Sequence, residues 1–206
     1  MNITLHNLGR RFNQEWIFRG IDYSFVSNNK YAILGPNGSG KSTLIKVITG
    51  QLTPSEGSIS YADTEEEIHA EDIYRHVSIA APYIELIEEY TLSELLDFHF
   101  KFKAYLPNFN KEKVIALLNM GKSLNKGLKY YSSGMKQRVK LVLACCSDSK
   151  ILFLDEPTSN MDVEGEQWYL NLVAQTHIDH RVVIIGSNQQ KEYEFCNEII
   201  RITDYK

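Results

Sequence analysis

A chain of 206 residues suits one domain with a full hydrophobic core, or one core carrying a smaller lobe. With 43% apolar and 23% charged residues, it has the make-up of an ordinary globular protein rather than a disordered one. A formal net charge of -4 argues against nucleic acid as a main partner, and no run approaches the roughly 20 apolar residues of a membrane-spanning helix.

The first elements read as strands. Ile3 and Leu5 alternate with polar neighbours, and Ile21, Tyr23 and Phe25 repeat the pattern. Such a start is unlike a signal peptide, so the chain is expected in the cytosol. A compact apolar run over 31–34 then meets a glycine-rich turn. A helix is predicted from 41 to about 49, closed by Gly50. Pro54, Ser55, Glu56 and Gly57 predict a turn into a short strand over 58–61.

From about 86 to 129 the texture is helical. Leu92, Leu95, Leu96 and His99 recur at helical spacing, and Thr91 with Glu94 predicts a capping box. Val114, Leu117 and Leu118 continue the pattern. Beyond it come a helix over 134–146, a buried strand over 151–154 and a helix over 164–177. A strand over 182–185, a short helix and a strand over 198–202 complete the chain. Helices alternating with short apolar strands predict an α/β domain with a mainly parallel sheet. Cys145, Cys146 and Cys196 make no disulfide or zinc framework and read as small buried hydrophobes. The six histidines are scattered, so any metal is expected to arrive with a nucleotide.

Chemistry concentrates in two places. Gly35, Pro36, Asn37, Gly38, Ser39, Gly40, Lys41, Ser42 and Thr43 contain G-x-x-x-x-G-K-S between an apolar strand and a helix start. Glycines let successive backbone N–H groups turn inward around phosphate oxygens, and the new helix adds its positive end. Lys41 is expected on the β- and γ-phosphates of ATP and Ser42 on Mg²⁺. The second place is the apolar run 151–154 ending in Asp155 and Glu156. Asp155 would orient the magnesium water shell, and Glu156 would accept the proton of the attacking water.

Between these motifs stand Tyr131, Ser132, Ser133, Gly134 and Met135, which resemble the signature sequence of ABC ATPases. Pro157, Thr158, Ser159, Asn160, Met161 and Asp162 look like that family's D-loop. The resemblance covers nearly the whole chain and implies one nucleotide-binding domain over 1–206, with a P-loop NTPase core. It implies an antiparallel β lobe at about 1–30 and 55–80, an inserted helical lobe at about 86–133, and the α/β core as the remainder. By the same resemblance, Phe12 would stack on adenine, with a core ring as its alternative. Ser132, Ser133 and Gly134 would contact the γ-phosphate held by a second copy, and Asp162 would face that copy's phosphate loop. The implied assembly is a head-to-tail homodimer, or a heterodimer with another nucleotide-binding domain, on an integral membrane transporter subunit at the cytoplasmic face. The run 134–137 resembles exporter-type signatures. A slow-hydrolysing regulatory subunit and a soluble non-transport ABC ATPase are the alternatives.

Two departures stand out. Where the family carries a glutamine near Mg²⁺, Pro82 stands, and Tyr83 or Glu85 would have to substitute. Where the family usually carries a histidine on the γ-phosphate stands Asn188, which can donate a hydrogen bond but holds no charge. Slow hydrolysis is the resulting expectation.

Overall fold

The computed structural model describes residues 1–64 and 66–206. Strand β1 (Asn2–Phe12) forms a hairpin with β2 (Glu15–Val26) and pairs on its other side with β4 (Glu56–Asp63). β5 (Glu66–Ile68) completes an antiparallel sheet in the order β2-β1-β4-β5. Ile3 and Leu5 face inward as alternation requires, but the next buried residue is Leu8. The register shifts between Leu5 and Leu8, and Asn7 takes a left-handed φ of 46° with its N–H donated to Asp22 at 2.8 Å. One bulge therefore turns the strand's inward face by a residue.

The second sheet is parallel, ordered β6-β7-β8-β3-β9. Its strands are β3 (Lys30–Leu34), β6 (Val77–Ala80), β7 (Ile151–Asp155), β8 (Val182–Ser187) and β9 (Glu198–Arg201). Every residue of β7 and β8 is buried, as strands covered on both faces must be. Ile151, Phe153, Val182 and Ile184 join the core beneath the antiparallel sheet, with Leu44, Ile45 and Ile48 of helix α1 (Lys41–Ile48). Leu152, Leu154, Val183 and Ile185 face a second core that they share with the helical lobe. The period of two thus glues both layers to one sheet. β6 pairs with β7 in this parallel sheet. The boundary of about 80, which counted residues 77–80 with the β lobe, therefore falls past a strand of the core sheet.

The helical lobe holds α2 (Leu92–Phe102) and α3 (Lys111–Leu118), followed by two single 3₁₀ turns. The helix starts at Leu92 rather than near 86 because Thr91 caps it. The Thr91 hydroxyl accepts from Glu94 N–H at 3.3 Å, and Glu94 accepts from Thr91 N–H at 2.8 Å. Two further helices, α4 (Ser133–Cys145) and α5 (Val163–Gln175), pack against each other, and the short α6 (Gln190–Tyr193) follows β8. Beyond the end of α4 lies buried Arg181, whose guanidinium donates to the carbonyls of Ser149 at 2.9 Å, Cys145 at 3.1 Å and Ser147. It satisfies acceptors that a helix end leaves open.

His99 of α2 gives the fold a pH dependence. Its Nε2 lies 2.8 Å from the Ser147 hydroxyl, and burial, with the Lys103 charge adding, pushes its pKa from 6.5 down to about 4. The unfolded chain therefore binds the extra proton between those values. Stability is full above the free value and falls as pH drops toward the folded one. A loss of about 2 kcal/mol between pH 7 and pH 5 is expected in urea unfolding. A His99→Gln chain with the same slope would show that other groups cause it.

Candidate functional site

Strands β3, β7 and β8 are neighbours and run in one direction, so their C-terminal ends share one edge of the sheet. That edge is where an open α/β sheet builds its ligand site. β3 delivers the loop of Gly35, Pro36, Asn37, Gly38, Ser39 and Gly40, and α1 starts at Lys41 and carries Ser42 and Thr43. Gly40 has φ of 108°, and a Cβ there would lie 2.5 Å from the Ile17 side chain. Only glycine fits between the hairpin and the helix start. Lys41 is buried, and its ammonium donates to the carbonyls of Gly35 at 2.8 Å and Pro36 at 3.3 Å. The Ser39 hydroxyl is buried with no partner among the described residues.

β7 ends in Asp155, which is 1% exposed. Neither carboxylate oxygen has a hydrogen-bond partner among the described residues. Burial raises its pKa and the Glu156 charge adds to that, while the neighbouring Ser42 hydroxyl and the charges of Lys41 and Lys46 pull it back. A buried, orphaned carboxylate beside a hydroxyl at the mouth of a cationic loop is a fit for a hard divalent cation, with water and phosphate completing its shell. Asp155 has its room because β8 carries Gly186 beside it. A Cβ at Gly186 would lie 2.6 Å from Asp155 Oδ1 and 2.8 Å from Ile45 Cδ1. Gly186→Ala is therefore expected to push the carboxylate aside, weakening magnesium-ATP by about tenfold or more and costing about 1–3 kcal/mol of stability. Calorimetry and thermal melting read both, and binding equal to the parent chain would show that the gap is not needed.

Glu156 follows with a left-handed φ of 43°, its N–H donating to Gly186 at 2.8 Å. A non-glycine residue in that region stores strain, which neighbouring contacts must hold. Glu156 lines a cleft of about 350 Å³ with Asn37 and Asn188. The Asn188 amide donates to Asn37 Oδ1 at 3.0 Å, so the residue after β8 rests on the phosphate loop. Phe12 ends β1 and is 46% exposed, with the Arg10 guanidinium 4.7 Å from its ring centre. A core position for that ring is thereby removed.

The signature residues sit elsewhere on the same chain. Ser132 caps α4 by accepting from Met135 N–H at 3.2 Å, and Ser133 and Gly134 form the first turn. With Asn160 and Asp162 they line a cleft of about 870 Å³ to which the phosphate loop contributes nothing. The Asp162 carboxylate caps α5 by accepting from Gly165 N–H at 2.8 Å. Within one copy, then, the loop, Asp155, Glu156 and Asn188 come together, while Ser132, Ser133, Gly134 and Asp162 form a second surface.

Sequence reading missed the parts that join these pieces. Glu192, 1% exposed, accepts from Thr158 N–H at 2.8 Å and from the hydroxyls of Thr158 and Ser187. It pins the segment after Glu156 to the end of β8. Gln137 of α4 donates to the Pro157 carbonyl at 3.0 Å, tying the signature helix to that segment. No local signal marks Glu192. Gly186 does carry one, because a glycine ending an apolar strand often marks a close approach. Tyr83 has a buried hydroxyl with no partner among the described residues, whereas Glu85 is exposed.

A family model described as ABC transporter matches residues 18–159. The chain is 27% identical over 213 residues to the sulfate/thiosulfate import ATP-binding protein CysA of Synechocystis sp., covering 100% of this chain and 59% of that protein. It is 27% identical over 203 residues to the lantibiotic transport ATP-binding protein SrtF of Streptococcus pyogenes, covering 96% of this chain and 85% of that one. The chain therefore spans less than two thirds of the first relative and most of the second. A solved structure described as the ATP binding subunit of an ABC transporter superposes with a TM-score of 0.81 at 20% identity, covering 98% of this chain and 85% of that one. At that identity the match speaks for the fold alone.

Proposed function

Because the chain belongs to the ABC transporter family of ATP-binding proteins, we propose that it is an ATPase subunit that drives transport through a separate integral membrane protein. The observation that carries this reading is Asp155, buried and unpartnered, beside the Lys41 loop at one sheet edge. Backbone N–H groups of the loop and the start of α1 cradle the phosphates, and Lys41 turns from its own carbonyls to them. Ser42 and Asp155 would hold a magnesium ion arriving with the nucleotide. When bound, that ion neutralises charge on the phosphate oxygens. Glu156 takes the proton of the attacking water, and Phe12 stacks on adenine.

The second surface, Ser132 to Gly134 with Asp162, faces the phosphate loop of another copy or of a related domain, head to tail. Differential binding of ATP to the closed pair is what moves the membrane partner. The surface suited to that partner is the helical lobe around exposed Ile87, Phe98 and Phe102, where the rings of Tyr90, Phe98 and Phe102 follow one another at 5.6 and 5.2 Å. The chain then sits peripherally on the cytoplasmic face. Among the described residues no helix is long and apolar enough to cross a membrane. One relative is named for import and another for lantibiotic transport, so cargo and direction reside in the partner. Asn188 carries no charge and its amide is engaged with Asn37, which supports slow turnover.

The test is recovery of the chain from membranes, identification of the integral protein that comes with it, and phosphate release by the pair. A chain that hydrolyses ATP yet never sediments with a membrane protein would remove the transport role. A chain that binds no magnesium-ATP would remove the whole reading.

A further inference from the structure

We propose that Tyr83 is a positioning residue of the nucleotide site, its hydroxyl donating a hydrogen bond into the water shell beside Asp155. The inference rests on the ATP reading above and assigns a residue to the place where Pro82 supplies no polar group.

The register of the sheet puts Tyr83 there. Ala80 of β6 lies opposite Leu154 of β7, so the segment 81–83 leaves the sheet at the same edge as Asp155. Lys140 holds that segment by donating to the carbonyls of Pro82 at 3.1 Å and Ala81 at 3.4 Å. The ring is half-buried and fixed by the Lys46 ammonium, which lies 3.9 Å from its centre on the same helix that carries Lys41 and Ser42. The hydroxyl is buried and unpartnered, and so are both oxygens of Asp155. Burial raises the phenol's pKa, and the Asp155 charge raises it further, in keeping with the shared sheet edge that the register gives them. A donor and an acceptor that share a neighbourhood but do not touch are satisfied by what stands between them: water, or a hydrated cation with its phosphate. For packing alone phenylalanine would serve better, since an orphaned buried hydroxyl is destabilising.

The experiment is calorimetry of ATP binding, with magnesium and with chelator, on the intact chain and on Tyr83→Phe and Tyr83→Gln. Tyr83→Phe should bind magnesium-ATP about three- to tenfold more weakly and chelated ATP within about twofold of the parent. Tyr83→Gln, which retains a donor, should recover most of the magnesium-dependent affinity. If Tyr83→Phe binds magnesium-ATP like the parent, or weakens equally in both media, the proposal is overturned. Removing an unpartnered hydroxyl should leave the melting temperature equal or higher. Should Tyr83→Phe nevertheless fail to fold, Tyr83→Leu compared with Tyr83→Gln carries the same test, and equal magnesium dependence in those two overturns it. Failure of the ATP reading looks different: the parent chain itself would then bind no ATP, with magnesium or with chelator.

Discussion

Glu156→Gln is expected to bind magnesium-ATP within a few-fold of the parent chain while phosphate release falls by at least about 100-fold. Glutamine keeps the size and the hydrogen-bonding reach of glutamate but cannot take a proton. The backbone around the residue should survive the change, because it is held from outside the side chain. Glu156 N–H donates to Gly186 at 2.8 Å, and the Glu156 carbonyl accepts from Ser159 at 3.0 Å. Glu156 lines the cleft with Asn37 and Asn188, so what is lost is chemistry rather than placement. Single-turnover phosphate release measures the effect. Gel filtration with ATP adds a second reading, since a pair that closes but cannot hydrolyse should accumulate. Turnover within about threefold of the parent would remove Glu156 as the proton acceptor.

Lys41→Ala should act one step earlier, lowering ATP affinity by about 100-fold. An ammonium bound to phosphate makes charge-assisted hydrogen bonds worth about 1.5–3 kcal/mol each, and alanine supplies none. The parent lysine is already drawn into the loop, buried against the carbonyls of Gly35 and Pro36. The variant therefore also loses the contacts that tidy the loop. Circular dichroism melting separates the two effects: a fold that melts near the parent temperature but binds no ATP locates the loss in the phosphate contacts. Calorimetry showing unchanged affinity would instead mean that the backbone cradle suffices. The two variants differ in kind, since one lowers turnover with binding retained and the other lowers binding itself.

Both residues were legible in the chain because their surroundings are consecutive. The proposed cradle is one run of residues from 35 to 43, so chain order is spatial order there. The capping box of Thr91 and Glu94 was legible for the same reason, being complete within four positions. Unbroken apolar runs at 151–154 and 182–185 marked strands buried on both faces, and the strands are there. Where the pattern misled, a longer contact had decided. Residues 77–80, which the resemblance had counted with the β lobe, take their sheet from pairing with Ile151 and its neighbours, far off in the chain. The helical texture from 86 formed no helix before Leu92, because Thr91 caps the helix with extended backbone and bridges to Gly127, and residues 88–90 form a turn ahead of it. In β1 the inward face shifted at Asn7 through a bulge paired with Asp22 on the adjoining strand.

What the amino-acid order determined by itself is the set of candidate groups: a glycine-rich loop with its lysine, an acidic pair at the end of an apolar strand, and a serine standing before a helix. What only the tertiary structure decided is how those groups are held. Gly186 leaves Asp155 its room, Asn188 reaches Asn37 across 151 positions, and Glu192 ties Thr158 to Ser187 from 34 positions away. The physical reason is the topology of a parallel sheet. Its neighbouring strands are joined by long crossovers, so the residues that meet at its edge come from segments far apart in the chain.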